Sequence, residues 1–339
     1  MEAKNKKKAA KIATWIIVPI MASVFILDII TVALGNRYAR RYAPEQEDFT
    51  LSEGDDRIHF LNTANSDCIL IESNGSFALV DSGEGNYNPR RKLPYHGYEE
   101  EVLAYLKKVA TGDDGKVHLD FILGTHYHYD HVGNFHAIIT DEDIIIDTAY
   151  FKEYDPLMDK SYEPDDWGLQ ESYDTIISDI KKREINLVQN IPENMTFGDF
   201  EMTLFNTVND PSLRGRGDNS ESIGIKLDKN GVTAFLAADI TGPSGLEKLL
   251  GDKIGQCDLL KAGHHGYYGS SSRSFLKYIK PEVVIIPNIQ GKVYPNVKWN
   301  LTMYARAPFY GTYDYNGIIA TFTDGGKIKL TNNIHQEDL

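Results

Sequence analysis

Between residues 124 and 134 the chain reads Gly124-Thr125-His126-Tyr127-His128-Tyr129-Asp130-His131-Val132-Gly133-Asn134. Three histidines and one aspartate fall within six positions, and four of the chain's ten histidines lie between residues 126 and 136. The apolar run at 119–123, just before them, predicts a short buried strand. A strand continued through the polar cluster would bury unpartnered imidazoles, whereas a loop at the strand end lets them converge on a cation. A polar loop with chance histidines explains the clustering less well, so the stretch predicts a metal site.

A metal site needs further ligands, and two later strand ends supply candidates. Asp239 follows the apolar stretch 236–238, although an aspartate in this position also suits a helix N-cap. His264 and His265 follow closely on the predicted strand 258–261. Because neighbouring side chains on an extended backbone point in opposite directions, we expect one of this pair to bind metal and the other to lie near the substrate. His264 is slightly favoured as the ligand, and His265 stays open as the alternative.

The N-terminal segment differs in character from the rest of the chain. Residues 12–35 form an apolar run of 24 residues with Asp28 as its one charge, preceded by five lysines and followed by three arginines. About 20 apolar residues span a bilayer, whereas a signal-peptide core holds about 7 to 15, so we predict an uncleaved single-pass membrane anchor; a cleaved signal is the alternative. The lysines before the run predict a cytoplasmic N-terminus and an extracytoplasmic remainder.

The domain organisation follows from these boundaries. We predict a basic segment with the anchor at 1–41, a polar stalk at 42–56 and one large domain at 57–335. Strand and helix patterns alternate along this domain, which indicates an α/β fold with mixed sheets covered by helices. The main predicted strands cover 58–61, 68–72, 77–80, 119–123, 144–146, 200–205, 223–227, 233–237, 258–261, 283–286, 318–322 and 327–330, and the main helices cover 98–110, 170–184 and 243–250.

The charge distribution bears on the substrate class. The chain carries a net charge of −14, and residues 42–339 hold 27 lysines and arginines against 47 acidic residues. Proteins that bind phosphate backbones draw much of their affinity from basic surfaces. Many of these acids serve as ordinary solubilising surface charge, but the sign still disfavours a nucleic-acid substrate.

Four sequence elements, taken in this order, resemble the metallo-β-lactamase superfamily over roughly residues 57–330. They are Asp81-Ser82-Gly83, the His-x-His-x-Asp-His stretch at 126–131, Asp239 and His264-His265-Gly266. The resemblance implies a four-layer αββα sandwich with a two-metal site at one edge. By position, it implies that His126 and His128 bind a first metal and that Asp130 and His131 bind a second. It further implies that Asp239 bridges the two metals and that His264 or His265 completes the second site.

One departure from the family pattern stands out. Classical members supply a third histidine for the first metal between the opening motif and the bridging aspartate. Here the interval contains only His136, for which we expect a packing or surface role on the following helix. In the corresponding place stands Asp218-Asn219-Ser220, which resembles the branch containing the phosphorylcholine esterases and the hydrolase-like domain of DNA-uptake competence proteins. These three residues either contact the metal or the substrate, or form a tight turn.

The esterase resemblance is the closer of the two, because Gln189-Asn190-Ile191, Phe197-Gly198-Asp199 and Lys261 also match it. The first metal would then have a ligand missing or replaced by an oxygen. The ligand chemistry admits two divalent ions, with Zn favoured and Mn or Fe as alternatives.

The expected function is hydrolysis of a phosphoester, preferably a phosphodiester, by a hydroxide bridging two metals about 3.5–4 Å apart. Asp130 would orient the nucleophile, and the non-ligand histidine of His264 and His265 would protonate the leaving oxygen. The esterase resemblance implies that aromatic faces bind a choline group, with packing at a loop-rich rim as the alternative for each of them. Aromatic side chains follow these histidines or lie in the 149–184 insertion: Tyr267, Tyr268, Tyr294, Trp299 and Trp167. We expect a small-molecule or cell-envelope phosphoester substrate. The alternatives are a nuclease resembling the competence domain and a non-catalytic surface binding module; a β-lactam or lactone hydrolase fits less well without the third histidine.

Overall fold

The computed structural model describes residues 14–27, 29–30, 33, 42–45, 52–90, 96–333 and 335–336. The N-terminal helix α1 occupies residues 14–27, and residues 29–30 and 33 are also helical. Within the described ranges, no helix is both long and apolar enough to cross a membrane. The prediction of a single-pass anchor at 12–35, and of the membrane localisation that depended on it, is therefore wrong.

Parts of two predicted segments lie outside the described residues. These parts are 1–13, 28, 31–32 and 34–41 of the predicted anchor segment and 46–51 of the predicted stalk. In the described part of the stalk, the Glu45 backbone N–H donates to Leu330 O at 2.9 Å. Residue Glu45 thus lies along the edge of a sheet, while the limits at 42–56 and 57–335 stay predictions.

Eight strands form the first sheet, and its central strands are buried on both faces. Their order across the sheet is β15-β14-β1-β2-β3-β4-β5-β6. The strand bounds are β1 Asp56–Phe60, β2 Cys68–Ser73, β3 Ser76–Ser82, β4 Val117–Leu123, β5 Ile144–Tyr150, β6 Asn186–Val188, β14 Ile318–Thr323 and β15 Lys327–Asn332. Strands β3 to β6 pair in parallel, so the loops after β3, β4 and β5 meet at one edge of this sheet.

Seven strands form the second sheet, in the order β13-β12-β11-β10-β9-β8-β7. Its strand bounds are β7 Asn194–Phe197, β8 Phe200–Phe205, β9 Gly224–Lys229, β10 Val232–Leu236, β11 Leu259–Lys261, β12 Val283–Ile286 and β13 Phe309–Gly311. Strands β10 to β13 are parallel, which brings the loops after β10 and β11 together.

Helices cover the outer face of each sheet. Their bounds are α2 Glu99–Val109, α3 Tyr129–Val132, α4 Phe135–Thr140, α5 Glu163–Trp167, α6 Leu169–Lys182, α7 Leu246–Ile254, α8 Arg273–Ile279 and α9 Pro295–Trp299, with a π-helical turn at Asn300–Ala305. Short 3-10 turns occur at Pro211–Leu213, Asp218–Glu221, Gly263–Gly266, Gln290–Lys292 and Tyr313–Tyr315. Three apolar clusters separate the layers, one between the two sheets and one beneath each helical layer. The predicted α/β sandwich with outer helices is confirmed.

Candidate metal centre

The stretch 124–134 leaves the end of β4 and enters α3, and Asp81 fixes its shape. The Asp81 carboxylate accepts hydrogen bonds from Thr125 N and Thr125 Oγ1, each at 2.8 Å. The same carboxylate lies 2.7 Å from His131 Nδ1. Asp81 stands near the end of β3 with a positive φ of 53°, which turns its side chain toward the loop after β4. One buried aspartate thereby sets both the start of the loop and the orientation of the His131 ring.

A first group of potential ligands consists of His126, His128 and Asp239. The two histidine rings meet edge to face with centroids 5.0 Å apart. His126 Nε2 lies 3.7 Å from Asp239 Oδ2. Asp239 reaches this group from the end of β10, so the first sheet supplies the histidines and the second sheet supplies the carboxylate.

A second group forms around the other oxygen of Asp239. His131 Nε2 lies 3.1 Å from Asp239 Oδ1, and His265 Nε2 lies 3.6 Å from the same oxygen. Asp130 Oδ2 is 3.3 Å from His265 Nε2, and this side chain keeps 19% of its surface exposed. The two oxygens of Asp239 therefore face two adjacent groups of nitrogen and oxygen donors.

His264 and His265 occupy a crowded turn after β11. Both residues adopt the left-handed conformation, with φ of 48° in each case. His265 is completely buried within the second group, whereas His264 retains 32% exposure of its side chain. His264 Nε2 nevertheless lies 3.7 Å from Asp239 Oδ2. The structure thus places His265 among the potential ligands and His264 at the open rim beside the first group, the reverse of the order that the sequence favoured.

The donor atoms fit divalent metal ions. Five buried atoms that point into this region have no hydrogen-bond partner: His126 Nε2, His128 Nε2, His131 Nε2, His265 Nε2 and Asp239 Oδ1. Buried polar atoms without partners are costly, and imidazole nitrogens with carboxylate oxygens form a donor set typical of zinc and related metals. Two groups that share one carboxylate match a pair of ions.

The protonation states agree with this interpretation. Burial lowers the pKa of His126 and His128, so both rings are neutral and offer a lone pair. Burial alone would also lower the pKa of His131, but the carboxylates of Asp239 and Asp81 outweigh it and raise that pKa. The pKa of His265 rises to about 9 because Asp239 and Asp67 outweigh the effect of burial. A cation at the second group would displace these protons, as metal binding commonly does.

Comparison with known proteins agrees with the site. Residues 61–190, which include the whole His-x-His-x-Asp-His stretch, match the model of the metallo-beta-lactamase superfamily. Residues 61–190 are thus similar to the metallo-β-lactamase superfamily. Together with the donor cluster described above, this similarity supports a metal-dependent hydrolase.

Individual relatives of this superfamily are distant. A stretch of 71 residues is 34% identical to Recombination protein 2 of Haemophilus influenzae, covering 21% of this chain and only 9% of that relative. The metallo-beta-lactamase fold protein YhfI of Bacillus subtilis aligns at 12% identity with a TM-score of 0.47, covering 76% of this chain and 96% of that one. A putative metal-dependent hydrolase from Parabacteroides distasonis aligns at 12% identity with a TM-score of 0.41, covering 79% and 97%.

The segment expected from the sequence to stand in place of the third histidine of classical superfamily members forms a buried turn. Asp218 Oδ2 accepts a hydrogen bond of 2.8 Å from Tyr127 N, the backbone amide between His126 and His128. Asp218, Asn219 and Ser220 lie in a 3-10 turn outside both donor groups. Asp218 therefore supports the first group through the backbone. His136 lies on α4, where its Nδ1 is 2.6 Å from Asp179 Oδ2.

Aromatic rings border the centre on two sides. Trp167, at the end of α5, lies 5.4 Å from the His128 ring. On the other side Tyr267 lies 5.5 Å from the His264 ring and 5.7 Å from Tyr294. Tyr268 lies further out, 6.3 Å from Tyr294. Trp299, at the end of α9, makes no ring contact with a site histidine in the described part of the chain.

Sequence reasoning missed Asp67. Its carboxylate lies 3.2 Å from His265 Nδ1 and 3.8 Å from His131 Nδ1. Ligands were expected after strands, whereas Asp67 immediately precedes β2. The available signal was an aspartate directly before the apolar run Cys68-Ile69-Leu70-Ile71, a costly place for a charge without a partner.

Proposed function

We propose that this hydrolase acts on phosphoesters, with phosphodiesters as its preferred substrates. The observation that carries the proposal is the pair of adjacent donor groups joined through the two oxygens of Asp239. The residues of the two groups would hold two metal ions, which would supply activation of water at neutral pH and stabilisation of charge during an in-line displacement at phosphorus.

The protein's own residues have distinct tasks in this proposal. The histidines of both groups and Asp239 would hold the ions, while Asp130, partly exposed at the rim, would accept a hydrogen bond from the attacking water and orient it. Burial lowers the pKa of His264, so it contacts the substrate as a neutral imidazole. Its Nε2–H would hydrogen-bond to the leaving oxygen from the exposed side of the centre and stabilise the charge that develops there, and solvent water would then supply the proton to that oxygen.

The aromatic borders support recognition of a quaternary ammonium group such as choline on the substrate. Trp167 stands beyond His128, and Tyr267, Tyr268 and Tyr294 stand beyond His264. Cations bind favourably over such ring faces. A phosphocholine ester spanning the centre would place its phosphate at the metals and its trimethylammonium group on one of these borders.

A nuclease is the second candidate, and the local match to Recombination protein 2 supports it. The acidic balance of residues 42–339 argues against it, since DNA binding needs concentrated positive charge.

The test compares hydrolysis of p-nitrophenylphosphorylcholine, bis-p-nitrophenyl phosphate and single- and double-stranded DNA by the full chain, before and after chelation. We expect phosphodiester hydrolysis that disappears with metal removal and returns with Zn or Mn. Full activity after rigorous metal removal contradicts the proposal, and faster cleavage of DNA favours the nuclease. Metal analysis showing less than one equivalent bound favours a non-catalytic binding module.

A further inference from the structure

Lys261 is a buried charge that the proposed reaction does not use. It is the last residue of β11 and has 0% exposure. Its Nζ donates to Ala238 O at 2.8 Å and forms an ion pair with Asp67 Oδ2. Fully buried lysines are rare and need a partner, because a charge removed from water is costly.

Asp67 connects this lysine to three residues of the metal centre. Its backbone N–H donates to Asp130 O at 3.1 Å. Its carboxylate faces His265 Nδ1 at 3.2 Å and His131 Nδ1 at 3.8 Å. In each ring Asp67 faces Nδ1, whereas Nε2 faces Asp239. Asp67 therefore lies on the side of the two rings away from the donor atoms.

The direction of the His265 ring follows from this arrangement. Because Lys261 pairs with Oδ2 of Asp67, Oδ1 is left facing His265 Nδ1 at 3.2 Å, and neither of these two atoms has another hydrogen-bond partner among the described residues. A carboxylate that accepts from one imidazole nitrogen keeps the other free of its proton and aimed at the metal, and it makes the ring a stronger ligand.

We propose that the Lys261–Asp67 ion pair positions His265 and thereby sets the affinity of the second donor group for its metal. The inference rests on the two-metal centre of the proposed function. Asp67 precedes β2 of the first sheet and Lys261 ends β11 of the second, so the pair also fixes the two sheets relative to each other at the metal edge.

A purely structural role is the competing explanation, and the chain contains a matched control. Lys229, at the end of β9, pairs with Asp56 of β1 at 2.5 Å, and both side chains are buried. This pair also joins the two sheets, but it makes no contact with a site histidine in the described structure. Lys229→Met therefore removes a buried lysine from a comparable pair without touching the metal centre.

The experiment titrates Co²⁺ and Zn²⁺ into the metal-free full chain, with a chromophoric competitor for affinity and the visible absorption of Co²⁺ for coordination. In Lys261→Met and in Asp67→Asn we expect one of the two ions to bind about 10- to 100-fold more weakly, with a changed Co²⁺ spectrum. The other ion should bind as in the wild type, and Lys229→Met should retain both affinities.

The double variant Asp67→Asn with Lys261→Met separates positioning from stability. Removing both partners leaves no unpaired buried charge, so its stability should exceed that of Lys261→Met while the weak metal affinity persists. Wild-type affinities in Lys261→Met, or in the double variant if the single one does not fold, would overturn the inference. Equal weakening in Lys229→Met would overturn it as well. A wild-type chain that binds less than one equivalent would instead refute the two-metal proposal.

Discussion

The carboxylate of Asp239 is the one side chain common to both donor groups. Because each of its oxygens faces a different group, Asp239→Asn should weaken both ions together. We expect metal affinity and phosphodiester hydrolysis to fall by more than about 100-fold, since even outer-shell changes cost 10- to 100-fold. Metal analysis after gel filtration, together with a phosphodiesterase assay, measures both effects.

A neighbouring aspartate provides the control for this substitution. Asp258 lies just before β11 and accepts hydrogen bonds from Thr233 N and Thr233 Oγ1, away from the donor atoms. Asp258→Asn should therefore retain both ions. Retention of one tightly bound ion in Asp239→Asn would contradict the bridging role.

Individual ligand residues were predictable where spacing alone decided them. His126, His128 and His131 were predicted as ligands because they lie within six positions of one another, and the structure brings their side chains together. The choice between His264 and His265 rested on an extended backbone with alternating side chains, but both residues are left-handed, so both rings reach Asp239. Asp67 could not be assigned because its partners lie up to 198 positions away.

At the scale of elements, the junction of α7 and α8 should make stability depend on pH. Burial raises the pKa of Glu247 to about 7, although its carboxyl group accepts from Ser272 N. A folded-state pKa above the unfolded value means that folding retains a proton, so the free energy of unfolding falls as pH rises from about 4.5 to 7. Glu247→Gln removes this dependence. The difference in free energy of unfolding between the variant and wild type should therefore be about 1–3 kcal/mol more in favour of the variant at pH 8 than at pH 5.

Urea unfolding at the two pH values measures this difference. The exposed Glu53 has no comparable burial, so Glu53→Gln serves as the control. Parallel pH profiles for wild type and Glu247→Gln would contradict the assignment.

The contact between the loop after β3 and the end of α3 leaves no room for a side chain at Gly133. A Cβ there would lie 2.3 Å from Gly85 N and 2.6 Å from Tyr129 O. Its φ of −60° suits any residue, so space alone decides. Gly133→Ala should cost about 1–3 kcal/mol and displace the loop that carries the histidines. Thermal unfolding and metal titration measure the two effects.

Gly325, in the turn between β14 and β15, offers a control for this substitution. Its nearest neighbour would be Thr323 Oγ1 at 3.8 Å, so Gly325→Ala should change neither property. Wild-type metal affinity in Gly133→Ala would show that the loop tolerates the displacement.

Among the secondary-structure elements, continuous aliphatic runs were predictable and short strands of mixed composition were not. Val283–Ile286 forms β12 at its predicted bounds, because four buried aliphatic residues stand between loops. Strands β6, β7 and β13 have only three or four residues, and they take their conformation from pairing with neighbouring strands. The apolar run at 12–35 was long enough by sequence for a membrane anchor, but no helix among the described residues is both long and apolar enough to cross a membrane.

For the whole molecule, bound metal should add measurably to stability. The folded chain holds the donor atoms together, whereas the unfolded chain scatters them, so metal binds the folded state preferentially. At metal concentrations about 1,000-fold above Kd, the gain is about 4 kcal/mol per ion. Thermal unfolding with and without chelator should therefore differ in the wild type and hardly differ in Asp239→Asn. A melting temperature indifferent to chelator in the wild type would argue against tight binding.

The donor residues are synthesised at different times, because they belong to two different sheets. The first sheet carries His126, His128, Asp130 and His131, and the second sheet carries Asp239 and His265. During synthesis the early histidines leave the ribosome more than a hundred residues before the aspartate that joins them. Domains fold largely as units, and contacts of such separation form late. The nascent chain therefore first presents only the donor residues of the first sheet. Tight metal binding requires that the second sheet has docked on the first.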